Sequence, residues 1–451
     1  MKLSVIAKEI NATCHGAFDT EYTTVAIDSR KITGGELFVA VKGENLDGHD
    51  FIEQAIQNGA KAVLAARAPQ TLQEKSILFL EVQDTTVALG LLAAYWRRLH
   101  PIPMIGLTGS CGKTTVKEMI ATICKLAGKT LATKGNFNNH IGLPLTLLGL
   151  DASYQYAVIE MGANHMGEIG YLCDIAQPNI SLITNVNPAH LQGFGSLAGV
   201  AKAKGEIYEK LPNNGIAILN NRDEFAAYWR QMIGPRKIIS FDIDPACNVY
   251  ATDIEYQPFA VRFHLHSEKE NRVITLSIPG EHTVLNALAA AGAGKALGIP
   301  FDTIVKALES FEAVKGRLKK WDGLNGAAIF DDTYNANPGS MKAALEVLAQ
   351  CPGERIFVMG DMGELGDNTI TYHAEIGDYA RSKGIEKLMA VGNLTLHAVE
   401  AFGDGAKSYP DKQSLVNDLK EGLSSNTVVL VKGSRSAGME VITDALILGK
   451  E

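Results

Sequence analysis

The sequence predicts an α/β chain of three domains, with a mostly parallel sheet and a phosphate loop in the middle one and a Rossmann-like third. Three observations carry this. The 451 residues amount to roughly three domains at ~150 residues each, and single cores stop growing near ~250–300 residues. Short apolar runs alternate with helix-period stretches along nearly the whole chain, as repeated strand–helix units do. Hydrophobic residues make up 46% and charged residues 20%, which supplies several cores and excludes a disordered chain.

Taken in order, the first block has strands at 37–41 and 62–65 with a helix near 51–59 between them. An apolar helix at 87–99 follows, closed by Arg97, Arg98 and His100. Pro101 and Pro103 then lead into a strand at 104–108, with further strands at 157–159, 180–186 and 215–219 and an Ala-rich helix near 284–297. A third block begins near 313, with strands at 327–330, 355–359, 387–391 and 427–431 separated by helical patterns. That layout is doubly wound. It lacks GxGxxG, so a dinucleotide site is not supported.

The net charge of −8 argues against a nucleic-acid or acidic-membrane binder. It leaves room for anionic small substrates held in a local basic pocket. The first nine residues carry no apolar core or cleavage site, and no run approaches ~20 apolar residues, so neither a signal peptide nor a membrane span is expected. Six scattered cysteines with no CxxC pair read as reduced thiols in a cytoplasm.

The strongest chemical signal is Thr108-Gly109-Ser110-Cys111-Gly112-Lys113-Thr114-Thr115. A strand precedes it and an amphipathic helix follows, the context a phosphate loop requires. Backbone N–H groups at the helix start face phosphates. Lys113 would meet the β- and γ-phosphates, and the Thr114 hydroxyl would ligate Mg²⁺. Leu107 stands where the strict pattern has its first glycine. Cys111 has two readings: a thiol with a lowered pKa beside Lys113, or merely a small side chain the loop tolerates.

Glu160 ends an apolar strand, where an acid can help hold Mg²⁺ in phosphate-loop proteins. His190 follows the strand at 180–186, and neighbouring parallel strands would bring both to one sheet edge; a histidine there is also commonly structural. Lys202 and Lys204 lie on a helical stretch and, from the residues alone, read as a solvated face.

Together these motifs resemble the Mur ligases. The loop resembles theirs and that of the folylpolyglutamate synthetases. The segment Asp28-Ser29-Arg30, Gly35-Glu36-Leu37-Phe38-Val39-Ala40, Gly43 and Asp47-Gly48-His49 resembles the UDP-sugar-binding domain of two Mur ligases. Three stretches favour the dipeptide-adding branch: Glu160-Met161-Gly162-Ala163-Asn164-His165, Asp331-Asp332-Thr333-Tyr334-Asn335-Ala336-Asn337-Pro338, and Val431-Lys432-Gly433-Ser434-Arg435.

The resemblance implies a small α/β UDP-MurNAc domain at 1–82, a central ATP- and Mg-binding domain at 83–312, and a Rossmann-like dipeptide-binding domain at 313–451. It implies an ATP-dependent amide ligase joining D-Ala-D-Ala to UDP-MurNAc-tripeptide through an acyl phosphate, in cytoplasmic peptidoglycan synthesis, acting as a monomer. Thr114, Glu160, His190 and Lys204 would hold two Mg²⁺ ions, with Lys204 carbamylated in several relatives. Lys113, His190, Lys204 and Arg317 would be catalytic. His282 and Asn286 would meet adenine, with Thr283 standing where the family has Asn; from the residues alone, Thr283 reads as a helix N-cap. Arg317 would reach the γ-phosphate, and Asp332 would take the ribose or order the hinge side. Ser29, Arg30, Gly43, Asp47 and His49 would bind the UDP-sugar, and Asn136 and Asn139 would lie near the γ-phosphate and substrate. Tyr334, Asn335 and Asn337 would lie near dipeptide or nucleotide, and Lys432, Ser434 and Arg435 would take the dipeptide carboxylate.

Three other functions compete at this level: a Mur-type ligase adding a single amino acid, against which the stretch 331–338 argues, a phosphate-loop NTPase switch, and a UDP-sugar-binding regulator without catalysis, against which intact Lys113, Thr114, Glu160 and His190 count. The first block argues against a folate ligase.

Overall fold

A computed structural model describes residues 3–15, 21–43, 45–67, 77–188 and 191–449. The chain divides into two compact units. One comprises Met1–Gly106, Gly128–Gly162 and Glu168–Asn179, the other Leu107–Ala127, Ala163–Gly167 and Ile180–Glu451.

The first unit is built on a five-stranded sheet in the order Thr13–His15, Leu78–Glu81, Ala62–Ala65, Leu37–Val39, Val25–Ala26. Its strands are parallel except for the first pair. Side chains alternate faces along a strand. Leu37, Val39, Leu64 and Leu80 therefore join Leu3, Ile6, Leu89 and Leu92 on one side. Phe38, Val63 and Phe79 join Ile52 and Ala55 on the other. Both faces are covered, as a parallel sheet requires. The helix Thr85–Leu99 starts where the Asp84 carboxylate accepts from the N–H groups of Thr86 and Val87, a capping arrangement worth about 1 kcal/mol. In the same unit Thr130–Ala132 pairs in parallel with Tyr156–Glu160.

In the second unit Ile180–Ile183, Ile216–Asn220 and Lys237–Asp242 pair in parallel in chain order. An antiparallel ribbon of Val249–Gln257, Ala260–Ser267 and Glu270–Leu276 continues from them. A separate six-stranded sheet has the order Lys319–Asp322, Ala328–Asp332, Thr427–Lys432, Glu354–Gly360, Lys387–Val391, Ala406–Tyr409. Only its first pair is antiparallel. This is the doubly wound layout expected of the third block.

The strands Met104–Thr108 and Lys387–Val391 have the expected bounds. The strand expected at 180–186 stops at Ile183, because residues 184–187 turn away to hold the phosphate loop. The antiparallel ribbon was not expected. Its outward positions carry Glu255, Arg262 and other polar residues, which blur its alternation.

Candidate active site

The phosphate loop lies in the second unit, between the end of the strand Met104–Thr108 and the helix Lys113–Ala127. The helix forms because Val116, Met119, Ile120, Ile123 and Cys124 bury one face. The first N–H groups of any helix lack intrahelical acceptors, so its start favours anions. The turn at Thr184–Asn187 grips the loop. Ser110 N–H donates to the Asn185 carbonyl at 2.9 Å, and Cys111 N–H donates to Asn185 Oδ1 at 2.9 Å. The Thr184 hydroxyl donates to the Cys111 carbonyl at 2.6 Å, and Ser110 Oγ donates to the Asn187 carbonyl at 3.1 Å.

Two glycines are needed for close approach. A Cβ on Gly109 would lie 1.8 Å from Thr184 Oγ1, and one on Gly112, whose φ is +78°, would lie 2.7 Å from Asn286 Oδ1. Any side chain at either position would push the loop off its supports. Lys113 Nζ donates to the Gly109 carbonyl at 2.7 Å, which keeps its charge within the loop. Thr108 is fully buried; Thr114 and Thr115 are half-buried.

Residues far along the chain complete this surface. Arg317 Nη2 donates to Thr114 Oγ1 at 3.3 Å. Its guanidinium stacks 4.0 Å from the Tyr334 ring centroid, which holds a long, flexible cation in place. Arg317 Nε is buried with no hydrogen-bond partner among the described residues, a donor suited to an incoming oxyanion. Asn337 caps the helix Pro338–Ala349 through Ser340 N–H, and its Nδ2 also lies 3.2 Å from Cys111 Sγ.

Asp332 and Lys432 form an ion pair at 2.6 Å with the lysine side chain only 3% exposed. Asp332 Oδ1 also accepts from Leu318 N–H at 3.1 Å, and Lys432 donates to the Asn335 carbonyl at 3.0 Å. Both charges are thus committed internally, and the aspartate orders the chain just after Arg317. Asn335 Oδ1 accepts from Ala336 N–H at 2.9 Å. Ser434 is buried, and exposed Arg435 pairs with Glu440 at 3.1 Å.

A cavity of about 370 Å³ opens beside the loop, lined among others by Asn185, Asn187, Asn220, Phe241, His282 and Asn286. Burial lowers the pKa of His282, so its ring is neutral at neutral pH. Thr283 does not cap its helix. The cap is Gly280, and the Thr283 hydroxyl donates back to the Pro279 carbonyl at 2.9 Å, so the capping expectation is corrected.

Lys204 corrects a second expectation. Lys202 is exposed, but Lys204 is 2% exposed, on the face of the helix Leu197–Glu209 that also buries Val200, Ile207 and Tyr208. Burial, then the nearby Lys113 charge, lower its pKa to about 7, while Cys111 acts weakly the other way. Its amine lies 6.0 Å from the Phe194 ring centroid. His190 lies outside the described residues.

In the first unit Glu160 is 2% exposed. Its Oε1 accepts from Asn138 Nδ2 at 2.8 Å, while its Oε2 has no hydrogen-bond partner among the described residues. A buried carboxylate with one oxygen held and one open suits a hard divalent cation. Asn138 belongs to the asparagine run 135–139 that the resemblance places near the γ-phosphate, although Asn136 and Asn139 are the two singled out there. Asn136 is exposed, and Asn139 Oδ1 accepts from Gly142 N–H at 2.8 Å. The turn at Thr184–Asn187 was missed; its signal was polar residues directly after an apolar strand.

Elsewhere in this unit, buried Ser29 donates to Gln54 Oε1 at 2.6 Å, and exposed Arg30 pairs with Asp28 at 2.9 Å. Gly43 N–H donates to the Leu46 carbonyl at 2.9 Å. Asp47 accepts from His49 Nδ1 at 2.6 Å, and His49 Nε2 accepts from Ala66 N–H at 3.0 Å. These two bonds fix the ring as the Nδ1–H tautomer. Among the described residues no three His, Cys, Asp or Glu side chains gather as a metal cluster.

The expected effect of a bulky group on Cys111 follows from its two neighbours. N-ethylmaleimide should inactivate the protein by splitting the loop from Asn337, with ATP protecting, while Cys111→Ser retains most activity. Full activity after complete labelling, followed by mass spectrometry, would remove Cys111 from the working surface.

Three family descriptions match the chain: "Mur ligase family, catalytic domain" over residues 21–97, "Mur ligase middle domain" over 107–294, and "Mur ligase, glutamate ligase domain" over 316–435. The chain is 43% identical over 447 residues to the UDP-N-acetylmuramoyl-tripeptide–D-alanyl-D-alanine ligase of Escherichia coli K12, covering 98% of each. Its fold is similar to a crystal structure of MurF from Acinetobacter baumannii, with TM-score 0.91 and 37% identity over 97% of this chain and 96% of that one. MurF ligase from Thermotoga maritima in complex with ADP is similar at TM-score 0.85 and 28% identity, over 95% of this chain and 97% of that one. The chain belongs to the Mur ligase family.

Proposed function

We propose that the chain joins D-alanyl-D-alanine to UDP-N-acetylmuramoyl-tripeptide, using ATP, in peptidoglycan synthesis. The observation that carries this reading is Arg317 donating to Thr114 across the phosphate loop, in a chain whose full-length relatives bear that ligase's name. A carboxylate and an amine form a salt in water, so the carboxylate needs a leaving group. A tripeptide carboxylate oxygen attacks the γ-phosphorus of ATP, ADP departs, and an acyl phosphate results. The dipeptide amine then adds to the acyl carbon, loses its proton, and inorganic phosphate leaves as the amide forms. Lys113 and Arg317 offset the negative charge as anions meet.

The nucleobase is assigned to the cavity at His282 and Asn286, with Thr283 taking no part in its recognition. Magnesium, when bound, neutralises phosphate charge; Thr114 and Glu160 are each assigned as a magnesium ligand on their own chemistry. Domains at 1–82, 83–312 and 313–451 are assigned to UDP-sugar, to ATP with metal, and to dipeptide. Ser29, Asp47 and His49 belong to the first assignment, and Ser434 with Arg435 to the dipeptide carboxylate. With Lys432 bound to Asp332, Arg435 is the cation left for that carboxylate. No helix of the described residues is long and apolar enough to cross a membrane; a cytoplasmic location and a monomeric state are part of the proposal.

Lys204 is assigned a carbamate. With a pKa of about 7, a large share of its amine is neutral at pH 7 and able to add CO₂, which turns a buried cation into an oxygen ligand. ¹³C-bicarbonate should give a carbamate signal above pH 7 that fades as pH falls and the amine protonates. A wild-type spectrum identical to that of Lys204→Met would end this assignment.

The function is tested by phosphate release from ATP. Release is expected only with both UDP-MurNAc-tripeptide and D-Ala-D-Ala present. Equal release with neither would make the protein an NTPase switch.

A further inference from the structure

His373 lies in the helix Thr369–Ser382, where it is fully buried, and no step of the reaction uses it. Both its ring nitrogens are engaged. Nδ1 lies 2.7 Å from the Thr369 carbonyl, and Nε2 accepts from the Met362 N–H at 2.9 Å. A backbone N–H can only donate and a carbonyl can only accept. The ring is therefore the neutral Nδ1–H tautomer, fixed by its surroundings.

Met362 belongs to the loop that leaves the C-terminal end of the strand Glu354–Gly360. Open α/β sheets bind ligands at that end of their strands. The loop is pinned on several sides. Asp361 Oδ1 accepts from Leu394 N–H at 3.1 Å and from Thr395 N–H at 3.0 Å. Met362 and Leu365 are buried, and Glu364 takes a left-handed backbone with φ +60°. The Asp361 carbonyl accepts from Ser434 N–H at 2.9 Å, and a Cβ on Gly363 would stand 3.7 Å from that of Ser434. So the loop is the wall against which the Ser434–Arg435 turn rests.

We infer that His373 is a positioning residue for the acceptor dipeptide: by accepting from Met362 N–H it holds the loop at 361–366 against Ser434 and Arg435, and so shapes the place where the dipeptide carboxylate binds. This rests on the assignment of that turn to the carboxylate. A protonated ring would set an N–H against the Met362 N–H, leaving a buried donor unpaired. Burial lowers the imidazole pKa, so the ring stays neutral at neutral pH. The Thr369 carbonyl bonded to the ring and then the nearby Asp361 favour the proton, and His397 from the helix Leu396–Phe402 opposes it. Acid releases the loop only below the ordinary histidine range.

The test is steady-state kinetics on the full chain with ATP, UDP-MurNAc-tripeptide and D-Ala-D-Ala. His373→Phe keeps the bulk but removes the acceptor. It should raise the KM for D-Ala-D-Ala about tenfold, the scale of one lost buried hydrogen bond, with kcat and the other two KM values within about twofold. His373→Gln, which retains an acceptor, should recover most of that loss. In the wild type the dipeptide KM should climb only as pH falls below the ordinary histidine range, and this climb should be absent from His373→Gln. Equal changes in all three KM values, or a pH profile unchanged in His373→Gln, would overturn the inference. The Gln profile decides the matter even should the Phe variant not fold. Arg435→Ala separates the two layers. If it leaves the dipeptide KM unchanged, the carboxylate assignment fails. If it raises that KM while His373→Phe does not, only the role of His373 fails.

Discussion

Lys113→Ala is expected to lower kcat about a thousandfold, or ~4 kcal/mol at 1.36 kcal/mol per tenfold, while leaving thermal stability within about 1 kcal/mol. The lysine is bonded within the loop to the Gly109 carbonyl, so its charge sits where phosphate oxygens arrive. Preorganised charge of this kind acts where negative charge develops and needs no reorganisation at the moment of reaction. The loop itself should survive the substitution, because Ser110 and Cys111 are held by the turn at Thr184–Asn187 and not by the lysine. Turnover within about tenfold of wild type, measured by phosphate release, would show that the loop does not carry the nucleotide's phosphates.

Arg317→Ala is expected to cost about a hundredfold in kcat, ~3 kcal/mol, the range for one lost donor to a charged transition state. The guanidinium is placed by Tyr334 beneath it and by Thr114 in front. Arg317→Lys should recover no more than about tenfold. A lysine is a point charge and cannot both stack on the ring and present a planar fork. Tyr334→Phe keeps the stacking face and should stay near wild type. Full activity in Arg317→Lys would mean that charge alone matters there, and the stack would be incidental.

How legible this was depended on whether each signal is contiguous. Thr108–Thr115 could be read because strand, loop and helix follow one another, and local pattern suffices. Lys204 could not. In the helix Leu197–Glu209 its burial is decided by what packs on that face, and a lysine amid Val200, Ile207 and Tyr208 looks like any surface lysine until the tertiary fold closes. Thr283 misled for a related reason. A threonine near a helix start usually caps it, but the helix began earlier, at a glycine with φ +100°. The Asp332–Lys432 pair brings together residues 100 positions apart, and only the parallel pairing of Ala328–Asp332 with Thr427–Lys432 makes them neighbours. His373 gave no signal at all, since its meaning lies in a backbone N–H of a loop eleven residues earlier.

The grip of Asn185 and Asn187 on Ser110 and Cys111 has a consequence for speed. Ordering a residue's backbone costs roughly 1–2 kcal/mol of conformational entropy, and here that cost is met when the chain folds. Nucleotide capture is then expected to need no slow rearrangement of the loop. Loosening the turn, as in Asn185→Gly, would shift that entropy to the binding step, so association would slow while the chemistry of the bound complex stayed nearly unchanged.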